Sequence, residues 1–143
     1  MLSPLFGVDS ATHTITFPGS GATVLSHTAL ADIGVFVADA LVTGRGRNAV
    51  VYTATATTTY AELASRLDAV TGHKWARVTQ ATSEREAEIG LSPNTLADFL
   101  ARFFVFIPNN PQATAWPVDK TYNAQHKLPG QTLDQVIRKT FTS

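Results

Sequence analysis

The sequence predicts an α+β fold, with a small mixed or antiparallel sheet packed by about four helices. Short segments rich in Val, Thr and Tyr alternate with segments whose apolar residues recur every three or four positions, and Gly, Pro and Thr residues mark the boundaries. A chain of 143 residues is long enough to bury one hydrophobic core, so we expect a single domain over residues 1–143. A cone-shaped α+β barrel of the nuclear-transport-factor type is the second fold hypothesis.

The first elements are two strands and a helix. Residues 14–17 and 23–25 alternate apolar and polar side chains on either side of a glycine-rich turn at 18–21, which predicts a β-hairpin. Asp32 is placed to N-cap a helix whose apolar residues follow at helical spacing, and Gly44 is expected to end that helix.

The middle of the chain continues with a strand, a helix and a strand. Residues 48–55 are rich in Val, Tyr and Thr and are predicted to form a strand. Thr59 and Glu62 have the spacing of a capping box, so a helix is expected to begin there and to end at Gly72. Residues 75–82 favour another strand.

The last third of the chain is predicted to be mainly helical. A short charged helix is expected over residues 83–89, followed by a helix with Pro93 at its first position. Residues 108–129 are proline-rich and read as irregular. A final helix is expected to be capped by Thr132 and Gln135.

The composition argues against several classes of partner. Eleven basic residues balance eleven acidic ones, so the chain lacks the charge that nucleic acid or an anionic membrane would attract. No stretch reaches the roughly 18 apolar residues that a membrane span needs. There is no cysteine, which fits a reducing compartment, and we expect a cytoplasmic protein.

Neither glycine-rich string of the sequence is expected to bind a dinucleotide. Gly44, Gly46 and Ala49 match the spacing of the dinucleotide fingerprint, but that fingerprint must follow a strand and open a helix. Here the string ends a predicted helix and precedes a predicted strand, so it reads as a helix C-cap followed by a turn. The four histidines are scattered singly, and no metal is expected.

The first half of the chain nevertheless resembles a known family. The runs 28–41, 48–52, 59–63 and 71–74 resemble the substrate-side, C-terminal half of NmrA-like or isoflavone-reductase-like proteins, which are atypical short-chain dehydrogenases. In such proteins the glycine-rich loop, the nucleotide-binding residues and the usual catalytic lysine belong to a preceding Rossmann domain. The resemblance therefore implies a substrate-side half that lacks the Rossmann domain, with a pocket for an apolar aromatic molecule and no cofactor.

The same resemblance implies a dimer. The substrate-side half normally packs against its nucleotide-binding half, and the surface left without that half would be costly to expose. We therefore expect a homodimer through it.

An aromatic stripe is the best candidate for the substrate pocket. Phe99, Phe103 and Phe106 recur at helical spacing, and with Trp116 they are the predicted substrate-binding residues. A two-sided core helix or a dimer interface would explain the same stripe. Arg102 borders it and either pairs with Asp98 one turn earlier or binds a phenolate or enolate.

Four residues are the candidates for catalysis, with roles that are hypotheses. Arg102 and Lys74 are candidates for binding a phenolate, and His27 and Tyr122 for proton transfer. The corresponding function is a cofactor-independent cyclase or isomerase, for example one that adds a phenol oxygen to an alkene of an aromatic or polyketide-like metabolite. The alternatives are the substrate-binding half of an NAD(P)H-dependent reductase and a non-catalytic ligand-binding or regulatory module.

Overall fold

The computed structural model describes residues 7–110 and 114–141, and this part of the chain confirms the α+β class. Five strands and six α-helices are present in it, together with one 3-10 turn at Val118–Lys120. The strands are β1 (Val8–Asp9), β2 (Thr14–Pro18), β3 (Val24–His27), β4 (Ala56–Thr59) and β5 (Ala76–Gln80). The helices are α1 (Leu30–Thr43), α2 (Tyr60–Thr71), α3 (Thr82–Glu88), α4 (Leu96–Asn109), α5 (Tyr122–Gln125) and α6 (Leu133–Phe141).

The strands form two separate sheets rather than a barrel. The first has the order β1-β2-β5, with β1 antiparallel to β2 and β2 parallel to β5 from the pair Thr14–Ala76 to the pair Pro18–Gln80. The second is the antiparallel pair β3-β4, which joins Val24 to Thr59. The first sheet is therefore mixed and the second is antiparallel.

The predicted hairpin between residues 14–17 and 23–25 is wrong, although both strands exist. The turn forms as expected, since the Gly21 amide donates to the Pro18 carbonyl. Gly19, however, still donates to Gln80 of β5, and the Gly21 carbonyl accepts from Ala61 in α2. The turn therefore sends the chain out of the first sheet, and β3 finds its partner in β4 instead.

The predicted strand over residues 48–55 is also wrong, because this segment is paired by a side chain rather than by a neighbouring strand. The Asn123 side chain accepts from the Ala54 amide at 3.2 Å and donates to the Ala54 carbonyl at 2.9 Å. The Tyr52 carbonyl accepts from the amide of Tyr122. An amide side chain thus supplies the hydrogen bonds that a strand would have supplied.

The helix ends predicted from local sequence signals are largely confirmed. Thr59 and Glu62 form the capping box of α2, and Gly44 and Gly72 end their helices in the left-handed conformation. Thr132 and Gln135 exchange hydrogen bonds at the start of α6 as expected.

The boundaries of α4 differ from the prediction at both ends. The helix begins at Leu96 and not at Pro93, because Asn94 has a φ of 62° and the hydroxyl of Thr95 caps the first turn. It then continues through Pro108, where an irregular segment was expected. Of that segment, residues 111–113 lie outside the described part of the chain.

The main hydrophobic core lies between the first sheet and helices α2, α4 and α6. Trp75, Tyr60, Leu63 and Leu67 are among its fully buried members. The Trp75 indole donates to the Thr71 hydroxyl at 3.0 Å, so its polar edge is satisfied inside the core.

Helix α1 is attached outside this core and has an unusual polarity. Its two charged residues, Asp32 and Asp39, point toward the protein, whereas Leu41 and Val42 on the other side are 77% and 87% exposed. An ordinary surface helix has the opposite arrangement.

Asp32 is not the N-cap that the sequence predicts but a buried anchor within the first turn of α1. Its carboxylate accepts from the Thr55 hydroxyl at 2.6 Å and from the Gln131 amide at 3.0 Å. The N-cap is Ala29, whose amide donates to the same Thr55 hydroxyl at 2.8 Å. One hydroxyl therefore joins the helix start to its buried carboxylate.

No helix in the described part of the chain is long and apolar enough to cross a membrane.

Replacement of Thr55 by Val should destabilise the protein by about 2 kcal/mol, because it removes a hydrogen bond to a buried carboxylate. Chemical denaturation would measure the change in the free energy of unfolding. Thr55→Ser keeps the hydroxyl and is the matched control. Its free energy of unfolding should fall much less than that of Thr55→Val. Equal losses in the two variants would contradict the anchoring role of the hydroxyl.

Candidate functional site

An open groove runs along α1, with a volume of about 670 Å³. One wall is α1 itself and the other is the loop that follows it. We call it the α1 groove, and its principal lining residues are Ile33, Phe36, Val37, Leu41, Arg47 and Val51.

The wall formed by the loop depends on a glycine. A Cβ at Gly46 would lie 3.1 Å from the Cβ of Ala40, so a larger residue would push the loop away from α1. Gly44 ends the helix with a φ of 70°, a conformation that side chains disfavour, and turns the chain back along the groove. The predicted C-cap and turn are thus confirmed, and the glycine string shapes a cavity wall.

The groove is apolar at its floor and polar at two points. Phe36 is 1% exposed and forms part of the floor. The hydroxyl of Thr28 donates to the carbonyl of Thr53 at 2.9 Å, so this polar edge is already occupied by a hydrogen bond within the protein. Arg47 is the second polar point.

Arg47 is the cation of the α1 groove. The neighbouring Arg45 lies 3.6 Å from the Asp39 carboxylate, which Tyr122 also contacts. No carboxylate lies within ion-pair distance of the Arg47 guanidinium among residues 7–110 and 114–141. A positive charge at the edge of an apolar cavity is suited to an anionic group on an apolar ligand.

A second and smaller cavity brings together four of the eight residues singled out from the sequence. His27, at the end of β3, faces Phe103 and Phe106 of α4 and the Trp116 side chain across a volume of about 200 Å³. The Trp116 amide donates to the Ser26 hydroxyl at 3.0 Å, which ties the 114–117 segment to β3. We call this cavity the aromatic pocket.

The aromatic pocket has one titratable side chain, His27. Burial lowers the pKa of its imidazole, because the charged form is poorly solvated there. The neutral form, which accepts a proton, is therefore favoured at neutral pH. The Trp116 ring packs against the Tyr52 ring at an angle of 35°, with ring centroids 4.4 Å apart, and this contact supports the outer wall of the pocket.

The remaining four residues lie elsewhere. Phe99 stacks on Phe103 at 5.9 Å but is half exposed outside the pocket. Arg102 forms the ion pair with Asp98 that its spacing allows, with Nε and Oδ2 2.8 Å apart.

Lys74 and Tyr122 also lie outside the aromatic pocket. Lys74 contacts Asp68 at 2.8 Å beside the first sheet. The Tyr122 hydroxyl donates to Asp39 at 2.6 Å, and burial together with this hydrogen bond raises the pKa of the phenol. The structure therefore does not bring Lys74, Arg102 and Tyr122 into one site with His27.

Sequence reasoning missed the α1 groove. The helical spacing of apolar residues such as Phe36 and Val37 predicted the helix, but no cavity was expected beside it. A signal was present, because only two of the fourteen residues of α1 are charged, and a helix that is apolar nearly all round needs cover on more than one side.

No cluster of three or more His, Asp or Glu residues that could hold a metal ion is found within residues 7–110 and 114–141.

The fold is shared with part of a larger enzyme. A ternary-complex structure of leucoanthocyanidin reductase from Vitis vinifera matches 90% of this chain with a TM-score of 0.73 and 18% sequence identity. The match covers 45% of the reductase, so the chain spans somewhat under half the length of this relative. At this level of sequence identity the likeness shows a common fold.

Comparison at the level of sequence adds no relative. No family model matches the chain, and no curated protein matches it significantly.

The contacts of Asp68 predict a pH dependence of stability. Hydrogen bonds from Lys74 and from the Trp75 amide lower the pKa of the Asp68 carboxyl from 3.8 to about 2. Because this pKa is lowered by folding, the stabilisation is complete above pH 3.8 and is lost as the pH falls toward 2. Denaturant unfolding at a series of pH values should show Asp68→Asn to be less sensitive to acid over this range.

The control for this experiment is Asp119→Asn, at an exposed position of the 3-10 turn. It should keep the wild-type slope of stability against pH. An Asp68→Asn variant with the wild-type slope would contradict the role of Asp68.

Proposed function

We propose that this protein binds an apolar small molecule carrying an anionic group, and that the ligand occupies the α1 groove. The observation that carries the proposal is the pairing of an apolar cavity of about 670 Å³ with the Arg47 guanidinium. Sites for small organic ligands have volumes of about 300 to 1,000 Å³ and are mostly apolar with a few polar groups. The α1 groove meets both conditions.

A small-molecule role fits the fold comparison without depending on it. The structural relative is named as a reductase of leucoanthocyanidin, and this chain matches under half of its length. Binding of a small molecule is common to two hypotheses from the sequence, the substrate-binding half of a reductase and a non-catalytic binding module. It requires no reaction at the groove, where the described residues place no acid–base pair.

Two related probes test the proposal. 1-Anilinonaphthalene-8-sulfonate is a flat apolar anion, and N-phenyl-1-naphthylamine is the same ring system without the sulfonate. Both should bind saturably to the wild-type protein, as measured by fluorescence titration. Arg47→Gln should lower the affinity for the sulfonate probe by about tenfold, because a charge-assisted hydrogen bond is lost. The affinity for the neutral probe should be nearly unchanged.

The wall of the groove supplies the second arm of this experiment. Val37→Glu places a carboxylate against the ligand and should lower the affinity for both probes. Val118→Glu, at an exposed position outside the groove, is the control and should bind like the wild type. Circular dichroism would confirm that each variant is folded. Equal affinity of Val37→Glu and wild type for both probes would rule out the α1 groove.

A second candidate function is acid–base chemistry in the aromatic pocket, favoured by the position of His27 among three aromatic side chains. In the cyclisation considered from the sequence, His27 would take the proton from a phenol and the oxygen would bond to one alkene carbon. The neighbouring carbon would then take a proton, so no oxidant or reductant is consumed. The pocket holds about 200 Å³, enough for one ring of such a substrate.

Ring closure of 2′-hydroxychalcone tests this candidate, because it is an addition of a phenol oxygen to an alkene. The wild-type protein should accelerate the reaction, and His27→Gln should reduce the acceleration by about 100-fold if the imidazole transfers the proton. His126→Gln, outside the pocket, is the control. Absorbance spectroscopy follows the loss of the chalcone. A wild-type rate equal to that in buffer, or to that of His27→Gln, would eliminate acid–base catalysis of this closure by His27.

A further inference from the structure

Helix α1 presents a second apolar surface, on the side that faces away from the protein. We call this surface the outer face, and it consists of Leu30, Ala31, Gly34, Ala38, Leu41 and Val42. All six residues are exposed and none is charged or polar. Contiguous apolar surface of this kind on a soluble domain marks an interaction site.

Gly34 gives an independent indication that something approaches the outer face closely. A Cβ at this position would meet nothing within 4 Å in the described structure, and the residue has no positive φ. Nothing in the part of the chain that the structure describes therefore requires a glycine here, although glycine weakens the interior of a helix. A helix packed from outside would favour a residue this small, because small residues allow two backbones to approach each other.

The area of this surface suits a stable association. Leu30, Leu41 and Val42 are each at least three-quarters exposed, and Val35, at the edge of the outer face, is 47% exposed. Together with the small residues these side chains present on the order of 600 Å² of accessible surface, which approaches the roughly 800 Å² that each partner contributes to an interface of standard size.

The order of large and small residues along α1 indicates how a partner would lie. Ala31, Gly34, Ala38 and Leu41 follow one another at spacings of three, four and three, so they form one seam along the helix. The small residues come first and the leucine comes last. When two such helices lie antiparallel, Leu41 of one faces Ala31 of the other and Gly34 faces Ala38, so that a large side chain meets a small one.

We propose that a second copy of this chain covers the outer face, with the two α1 helices packed antiparallel about a twofold axis. A twofold interface must be complementary to itself, and a face without charge brings no like charges together across the axis. Asp32 and Asp39, the only charged residues of the helix, are held on its inner side by Thr55 and Tyr122. A charged partner would find no complementary group on this face.

The first test measures self-association of the full chain by analytical ultracentrifugation. The wild-type protein should sediment with twice the mass of one chain. Gly34→Glu buries an unpaired charge in the seam and should raise the dissociation constant by about 100-fold or more. Val118→Glu is again the control and should remain dimeric. A wild-type protein that stays monomeric up to about 100 µM, or a Gly34→Glu variant that dimerises like wild type, would overturn the proposal.

The second test reports the orientation of the helices. The chain has no cysteine, so engineered thiols are the only ones present. A mixture of Ala31→Cys and Leu41→Cys proteins should form a disulfide between the two variants under mild oxidation, and neither variant alone should do so efficiently. Efficient disulfide formation within each variant, without disulfides between the two variants in the mixture, would mean that the helices are parallel. That result would overturn the antiparallel arrangement.

Discussion

The buried carboxylate of Asp32 is the interaction on which the arrangement of α1 depends. It accepts hydrogen bonds from Thr55 and from Gln131, which are 76 positions apart along the chain, and so joins the helix to two distant segments. A buried carboxylate is tolerated only when it is hydrogen-bonded in this way. Because the polar side of α1 is bound inward, its apolar residues are left on the outside.

That inversion accounts for both surfaces of interest. Phe36 is the only apolar residue of α1 buried to the degree of the core, and it is separate from the main hydrophobic cluster. The rest of the helix lines the α1 groove on one flank and forms the outer face on the side directed away from the protein. Helix α1 is thus held to the protein by the polar contacts of Asp32 and Asp39 together with buried Phe36, and much of its remaining apolar surface is exposed.

The sequence is informative where the determining contact is local. The capping box at Thr59 and Glu62 and the helix end at Gly44 depend on residues a few positions apart, and both form as expected. The hairpin and the strand over residues 48–55 fail because their real partners are remote, β4 in one case and the Asn123 side chain in the other. For the same reason helical spacing was enough to predict that aromatic residues of α4 share a side. The direction in which the charged residues of α1 point could not be predicted, because it depends on the remote residues Thr55 and Gln131.

The α1 groove and the outer face meet at Leu41, which belongs to both. A molecule in the groove therefore lies beside anything packed on the outer face. If ligand and second copy each contact this leucine, the free energy of one binding event depends on whether the other has occurred, and the effect is equal in both directions. A ligand that extends past Leu41 would weaken packing of the second copy on the outer face. A ligand that ends before Leu41 would contact the second copy as an additional wall of the groove, and the two binding events would favour each other.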